Sequence, residues 1–404
     1  MKFAWNIDEE ITAADIPELT EEIIFCDEFD KAIESNVLPD SLESIKLGFC
    51  FNQPIGENVL PNSLETIEFG YTFNQPIGEN VLPNSLKTVI FVCDFNQPIG
   101  ENVLPSSLKT VEFGYGFNQP IGENVLPNSL KTIEFGRDFN QPIGENVLPN
   151  SLISIVFGYK FDQPIGENVL PNSLKTIRFV CDFNQSIDEN VLPDSLETIR
   201  FSYKFNQPIC GNILPNSLKT IELGHAFNQP IGLNVLPNRL EVIKFGCKFN
   251  HPICENVLPR SVKCVEIGGC DHPASAYIYS ISAYNHSISA LYDLNHLECM
   301  LLHTEKYIEI EVDLLPPSLK YLCTSNADIA ISLNPESQRM WFSVILVDLP
   351  SLLDVTYPIL RPSVCEYDEK YEVIGTKTID GNQYNILINP EFYQPRSNAK
   401  SARK

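Results

Sequence analysis

Residues 51–72 read FNQPIGENVLPNSLETIEFGYT, and residues 73–94 read FNQPIGENVLPNSLKTVIFVCD. The leading aromatic recurs at Phe29, Phe51, Phe73, Phe95, Phe117, Phe139, Phe161, Phe183, Phe205, Phe227 and Phe249, always 22 residues apart. No insertion or deletion interrupts these frames. Self-similarity at this period predicts a solenoid, in which each turn buries its apolar face against its neighbours. Any function then belongs to a surface assembled from many turns.

Within one unit the apolar residues are Leu64, Ile67 and Phe69. Ile67 and Phe69 alternate with Thr66 and Glu68, which is the period of two of a half-buried strand. Leu86, Val89 and Phe91 repeat the pattern, as do Leu108, Val111 and Phe113. The unit therefore predicts a parallel sheet with one strand per turn. A glycine usually follows the strand, as at Gly48, Gly70, Gly114 and Gly136. Its position suggests a backbone turn, with positive φ as one way to make it. The return path carries prolines such as Pro54 and Pro61, which oppose a regular α-helix. Pro61-Asn62-Ser63 reads as a tight turn into the strand. Asn36, Asn58, Asn80 and their equivalents to Asn256 hold one position in every frame. That constancy predicts an amide ladder satisfying backbone groups that the turn leaves unpaired. A second asparagine usually follows the phenylalanine, as at Asn52 and Asn74. The recurring phenylalanines are expected to form a core spine.

The pattern FNQPI…NVLPxSLxxIxFG resembles the FNIP repeat, a leucine-rich-repeat-like unit of many proteins of amoebae and of the giant viruses that infect them. The resemblance covers residues 29–270. It implies a β-rich, leucine-rich-repeat-like solenoid with a parallel sheet on its concave side, little or no helix on the convex side, and a role in protein–protein contacts. Some relatives carry an F-box ahead of the repeats and recruit targets to ubiquitin ligases. In this chain a complete F-box is not expected. Ile16, Pro17, Ile23 and Phe25 lie one period before Leu38, Pro39, Ile45 and Leu47, so residues 1–28 read as a degenerate N-terminal cap repeat.

The expected organisation is thus a cap at 1–28, eleven repeats at 29–270, degenerate repeats or a β-rich cap region at 271–394, and a basic tail at 395–404. Strand-like runs in the last third are AYIYSISAY, KYIEIEV, SVILVDL and YNILI. LLPPSLKYLC, from Leu314 to Cys323, echoes the repeat. The tail PRSNAKSARK is expected to be disordered. Hydrophobic residues make up 43% of the chain, enough for a continuous core.

The chain holds 28 Lys and Arg against 52 Asp and Glu, a formal net charge of -24. A phosphate backbone needs cationic neutralisation, so nucleic acid is not the expected partner. No apolar run approaches the roughly 18 residues of a membrane helix. The N-terminus lacks the apolar run of a signal peptide. The 12 cysteines are scattered and are read as reduced thiols, which places the protein inside the cell, in the host cytoplasm.

Columns that vary are the candidates for recognition. The exposed strand position reads Lys46, Glu68, Ile90, Glu112, Glu134, Val156, Arg178, Arg200, Glu222, Lys244 and Glu266. Arg178 and Arg200 fall on neighbouring strands and make a basic spot on an acidic array, with Glu197 close by. The post-strand position reads Phe49, Tyr71, Cys93, Tyr115, Arg137, Tyr159, Cys181, Tyr203, His225 and Cys247. Tyr and Arg are favoured at interface hot spots. Tyr71, Tyr115, Arg137, Tyr159, Arg178, Arg200 and Tyr203 are therefore the candidate protein-binding residues. The competing explanation is drift at exposed positions. The threonines Thr66, Thr88, Thr110 and Thr132 suit a cross-strand column.

Cys247, His251, Cys254, Cys264, Cys270 and His272 cluster in sequence, and zinc takes such ligands. Their spacing is not that of a zinc finger, and they replace ordinary repeat positions. The same holds for His296, Cys299 and His303. No metal, cofactor or catalytic residue is assigned, and no phosphate-loop, nucleophile-elbow or metalloprotease motif occurs. The expected function is a non-enzymatic scaffold that binds a protein, one of the host being the candidate, through the concave face. The alternatives are a substrate-recognition component of a ubiquitin ligase and, after that, an enzyme with its site in 271–404.

Overall fold

A computed structural model gives the fold. It describes residues 1–268, 284–302, 316, 318 and 319, and the backbone of further strands beyond residue 307. Two compact units are present, Met1–Leu218 and Lys219–Lys404. The basic tail at 395–404 lies outside the described residues.

In the first unit the strands are β1 (Lys2–Trp5), β2 (Glu22–Phe25), β3 (Ser44–Lys46), β4 (Thr66–Glu68), β5 (Thr88–Ile90), β6 (Thr110–Glu112), β7 (Thr132–Glu134), β8 (Ser154–Phe157), β9 (Thr176–Phe179) and β10 (Thr198–Arg200). Each pairs in parallel with the next. From β2 onward partners differ by one repeat: Ile45 faces Ile67, which faces Val89. Between β1 and β2 the step is shorter, with Lys2 facing Glu22. Thr20 N–H donates to Pro17 C=O there, as Leu42 N–H does to Pro39 C=O one turn later.

The core is two stacked columns of rings. Phe51, Phe73, Phe95 and Phe117 follow one another at 6.1–6.2 Å between centroids. A second column comes from the strand ends, and Phe69 lies 4.4 Å from Phe73. Offset aromatic pairs at such separations add about 0.5–1.5 kcal/mol each beyond their burial. Leu64, Ile67 and Phe69 are buried, as the alternation requires.

No α-helix occurs among the described residues. Leu64 N–H donates to Pro61 C=O at 3.1 Å, closing the expected turn. Ser63 Oγ donates to Leu42 C=O at 2.6 Å, and Ser85 to Leu64 likewise.

The ladder expected of the Asn36–Asn256 column is not built by it. Asn36, Asn58 and their equivalents to Asn256 all take φ between 60 and 68°. They are kept because Asn is the side-chain-bearing residue that best tolerates the left-handed region. The ladder is built by the other asparagine. Asn52 Oδ1 accepts Asn74 N–H at 2.9 Å, and Gln75 Nε2 donates to Asn52 C=O at 2.9 Å. Asn74, Asn96 and Asn118 continue it with the same 2.9 Å bond.

The post-strand glycines also differ from expectation. Among the described glycines only Gly268 has positive φ. Gly70 and Gly136 are needed for space instead. A Cβ there would overlap the carbonyl oxygens of Gly48 and Gly114 in the preceding turn.

The second unit contains β11 (Thr220–Glu222), β12 (Val242–Phe245), β13 (Cys264–Ile267) and β14 (Cys299–Leu302), then β15 (Ile308–Glu311), β16 (Tyr321–Thr324), β17 (Ile329–Ser332), β18 (Met340–Trp341), β19 (Ile345–Val347), β20 (Glu372–Ile379) and β21 (Asn382–Ile388). Strands β11, β12, β13, β14 and β16 are parallel in sequence. The sheet then turns antiparallel through β19, β21 and β20. Strands β15, β17 and β18 form a separate sheet. KYIEIEV, SVILVDL and YNILI thus each contain a strand. AYIYSISAY lies outside the described residues except for Tyr284.

The repeat resumes at Tyr284. Cys264 faces Cys299, a step of 35 residues, and Cys299 faces Tyr321, a step of 22 again. Tyr284 is fully buried and stacks on Phe249 at 6.1 Å. Burial pushes its hydroxyl up to about 12. Asn285 N–H donates to Asn250 Oδ1 at 3.1 Å, so the ladder continues as well.

Asn124→Ala should lower stability by about 1 kcal/mol, because alanine has the Cβ but lacks the short polar side chain that eases asparagine into the left-handed region. Asn124→Gly should stay close to the parent in thermal unfolding of the full chain. Equal losses from both would return the role to the amide side chain.

Candidate protein-binding surface

The strand ends on a buried phenylalanine, and the next three residues form a loop that leads back to the spine. These loops are stitched from turn to turn. Asp94 N–H donates to Tyr71 C=O at 2.9 Å, Gly116 N–H to Cys93 C=O at 2.7 Å, and Asp138 N–H to Tyr115 C=O at 2.8 Å. Lys160 N–H to Arg137 C=O at 2.8 Å and Asp182 N–H to Tyr159 C=O at 2.9 Å continue the series. Tyr71, Tyr115, Arg137, Tyr159 and Tyr203 are therefore held in one line along the rim of the first unit, at the parallel-strand spacing of about 4.8 Å per turn.

The line is not uniform. Tyr71 stacks on Phe49 with centroids 4.5 Å apart and planes 9° from parallel. Arg137 lies over the Tyr159 ring, 5.5 Å from its centroid, in cation–π geometry. Tyr115 is 59% exposed, whereas Cys93 and Cys181 are buried. Tyr71 and Tyr159 each hydrogen-bond the thiol of the following turn, Cys93 and Cys181, and this holds both hydroxyls above the usual tyrosine range. Burial in turn pushes both thiols up. They are poor nucleophiles and serve as hydrogen-bonding floor groups. Sequence reasoning missed that role. Its signal is Val-Cys, at 92–93 and 180–181, where most turns have Gly followed by another residue.

Arg178 and Arg200 are not in this line. They face each other on β9 and β10, on the exposed side of the sheet. Arg178 is exposed; Arg200 is half-buried and already engaged within the chain. Glu197 pairs with Lys175 at 2.9 Å. Elsewhere in the same column Lys46 pairs with Glu68 at 2.7 Å. Glu112 faces Glu134 across β6 and β7. Partial burial, with Glu134 and Glu68 adding like charge, holds the Glu112 carboxyl above the usual range. The threonines form the expected column, Thr66 facing Thr88 and Thr88 facing Thr110.

In the second unit the variable positions are absorbed by packing. Lys244 sits 3.5 Å from Glu222 and 3.2 Å from Glu266, and all three side chains are about nine-tenths buried. Cys247 is disulfide-bonded, contrary to the reduced state expected for every thiol. Cys254, Cys264 and Cys299 are free. His251 and His286 take the place of the ladder glutamine, each with a ring nitrogen 3.1 Å from an asparagine carbonyl. Among the described residues no cluster of His, Cys, Asp or Glu has the geometry of a metal site. Cys270, His272 and His303 lie outside the described residues. No described helix is long and apolar enough to cross a membrane.

Short parallel strands at one per turn, buried Leu-x-x-Ile-x-Phe columns and a helix-free return path define a leucine-rich-repeat-like β-solenoid. FNIP Repeat matches run without a gap over residues 8–50, 51–94, 95–138, 139–182, 183–226 and 227–270, and the chain belongs to the FNIP repeat family. A similar solved structure is that of CroV588, from a giant virus, described as a novel circular LRR protein structure. It shares 45% identity at a TM-score of 0.71, over 82% of this chain and 50% of that one. The chain thus spans half the length of CroV588. A leucine-rich repeat protein from Eubacterium ventriosum aligns at 12% identity over 81% of this chain and 86% of its own, but its TM-score of 0.19 carries no argument. No curated protein gives a significant match.

Because the folded-state value of Glu112 lies above its ordinary 4.5, the fold loses stability as pH rises through that interval. Glu112→Gln should therefore raise the melting temperature at pH 7. The difference should vanish at pH 4, where the carboxyl is largely protonated in both states.

Proposed function

We propose that this chain is a non-catalytic scaffold that binds a protein through the exposed face of the sheet and the rim after each strand. One observation carries the reading. The polar columns of the scaffold are committed to bonds between turns, as in the Asn52–Asn74 and Ser63–Leu42 contacts. The rim and the sheet face instead present chemically varied groups, including exposed Tyr115 and Arg178. Tyr and Arg supply binding energy where they become desolvated. Leucine-rich-repeat-like solenoids typically serve as interaction scaffolds, and the family membership supports the same role here. The partner is a host protein met in the host cytoplasm, with a neutral or basic surface that complements a net charge of -24.

Photo-crosslinking tests this. A benzophenone amino acid is placed at Tyr115, at Arg178, or at Glu57 on the return path, and the full chain is exposed to an amoebal lysate. The same protein should be captured from positions 115 and 178 but not from 57. Capture from 57 alone would move the interface to the opposite side.

A further inference from the structure

The rim holds one slot that the protein fills with its own arginine and an equivalent one in which it places none. In the filled slot Arg137 stands between Tyr115 and Tyr159 and lies over the Tyr159 ring at 5.5 Å. Two turns earlier the corresponding place lies between Tyr71 and Tyr115. Its floor is Cys93, which is only 9% exposed. The flanking tyrosines are two turns apart, about 10 Å at the strand spacing. The Tyr71 hydroxyl leans to the Cys93 thiol at the floor, so a planar group seats above that contact, against the exposed Tyr115 ring.

The charges around the slot point the same way. The residue after the rim position is Asp94, Asp138 or Asp182 in three of these turns. Lys160 pairs with Asp138 at 2.9 Å, and Lys204 pairs with Asp182 at 2.9 Å. In both cases the lysine comes one turn later. One turn after Asp94 the chain has Gly116, and Asp94 is exposed with no ion pair among the described residues. The Tyr71–Tyr115 slot therefore lacks both its planar filler and its cation. The Tyr159–Tyr203 slot has the same buried cysteine floor, but its carboxylate is already matched by Lys204. Phe49 backs the open slot by stacking on Tyr71.

We infer that the slot formed by Tyr71, Cys93, Tyr115 and Asp94 receives an arginine side chain of the bound polypeptide. Its guanidinium stacks on Tyr115 as Arg137 stacks on Tyr159, and its N–H groups donate to the Asp94 carboxylate. A guanidinium suits this place better than an ammonium because it is planar and less strongly hydrated. This inference rests on the protein-binding reading and names the anchor that the partner supplies.

The test needs no partner. The full chain is labelled with 3-fluorotyrosine, and the Tyr71, Tyr115, Tyr159 and Tyr203 signals are assigned by single Tyr→Phe variants. Titration with N-acetyl-arginine amide should shift the Tyr71 and Tyr115 signals saturably and leave Tyr203 in place. N-acetyl-lysine amide should bind roughly threefold or more weakly, the scale of an exposed cation–π contact. Asp94→Asn should weaken arginine binding by a similar factor. Cys93→Arg should abolish it by filling the slot from within. Tyr115 is exposed, so Tyr115→Ala offers a second probe that leaves the core intact, and it should remove the Tyr71 response. Equal shifts with the two amides, no shift at either tyrosine, or an unchanged response in Tyr115→Ala would overturn the inference. Crosslinks from position 115 alongside a silent slot would sink the arginine anchor and leave the scaffold reading standing. Saturable arginine binding without crosslinks would do the reverse.

Discussion

Every turn of this protein must satisfy the backbone of a return path that has no helix or long strand to do so. Buried peptide groups without partners are costly, at about 1–3 kcal/mol each. The solution is a side chain that copies the backbone. Asn52 offers its amide oxygen to the N–H of Asn74, and Gln75 reaches back to the Asn52 carbonyl. With the Ser63 bond to Leu42, this ties each return path to the one before it. The turns are therefore tied on the return path as well as at the strands, where the spacing is the smaller, about 4.8 Å. The phenylalanines stack at 6.1–6.2 Å because the backbone has already placed them there.

The rim inherits that regularity. Each loop donates an N–H to the loop before it, so exposed side chains are held on a fixed grid. On such a grid a substitution changes one cell of the surface and leaves the others in place. Arg137 over Tyr159, Tyr71 against Phe49 and the buried Cys93 between two tyrosines are three fillings of equivalent cells. Beside Asp94 and Gly116 the cell has neither an arginine of its own nor a lysine one turn later.

Much of this was legible in the chain. Ile67 and Phe69 alternating with Thr66 and Glu68 identify the strand, and the strict period orders the strands. The prolines exclude a helix, and Pro61 marks the turn. The two asparagine columns are another matter. Both are constant, and a sequence does not display φ, so Asn58 and Asn52 looked alike in kind. The glycines misled for a related reason. Gly70 is shaped by the carbonyl of Gly48, a neighbour one turn away in space. The return of the repeat at Tyr284 was hidden by a 35-residue step. Two substitutions hid it further, Tyr for Phe and His for Gln, although Phe249-Asn250-His251 already contained one of them. At the rim, the tyrosines and Arg137 were recognisable as a line, but the inward turn of Cys93 and Cys181 was not. Burial separates them from the exposed members of the same column. Arg178 and Arg200 were read as neighbours in the strand column, apart from the tyrosines, and β9 and β10 place them opposite each other.

The amide ladder also has a direction. Each rung accepts from the turn that follows it, and its first rungs are carboxylates: Asp8 accepts Asp30 N–H, and Asp30 accepts Asn52 N–H. A rung needs nothing from its neighbour except a backbone N–H in the right place. Excising or duplicating a pair of turns would therefore join the same acceptor to the same donor, and the spine would close without a scar. The rim would not be spared, because Asp138 and Lys160 are matched across adjacent turns and would be re-dealt. Changes in the number of units are thus nearly invisible to the core while they rewrite the surface.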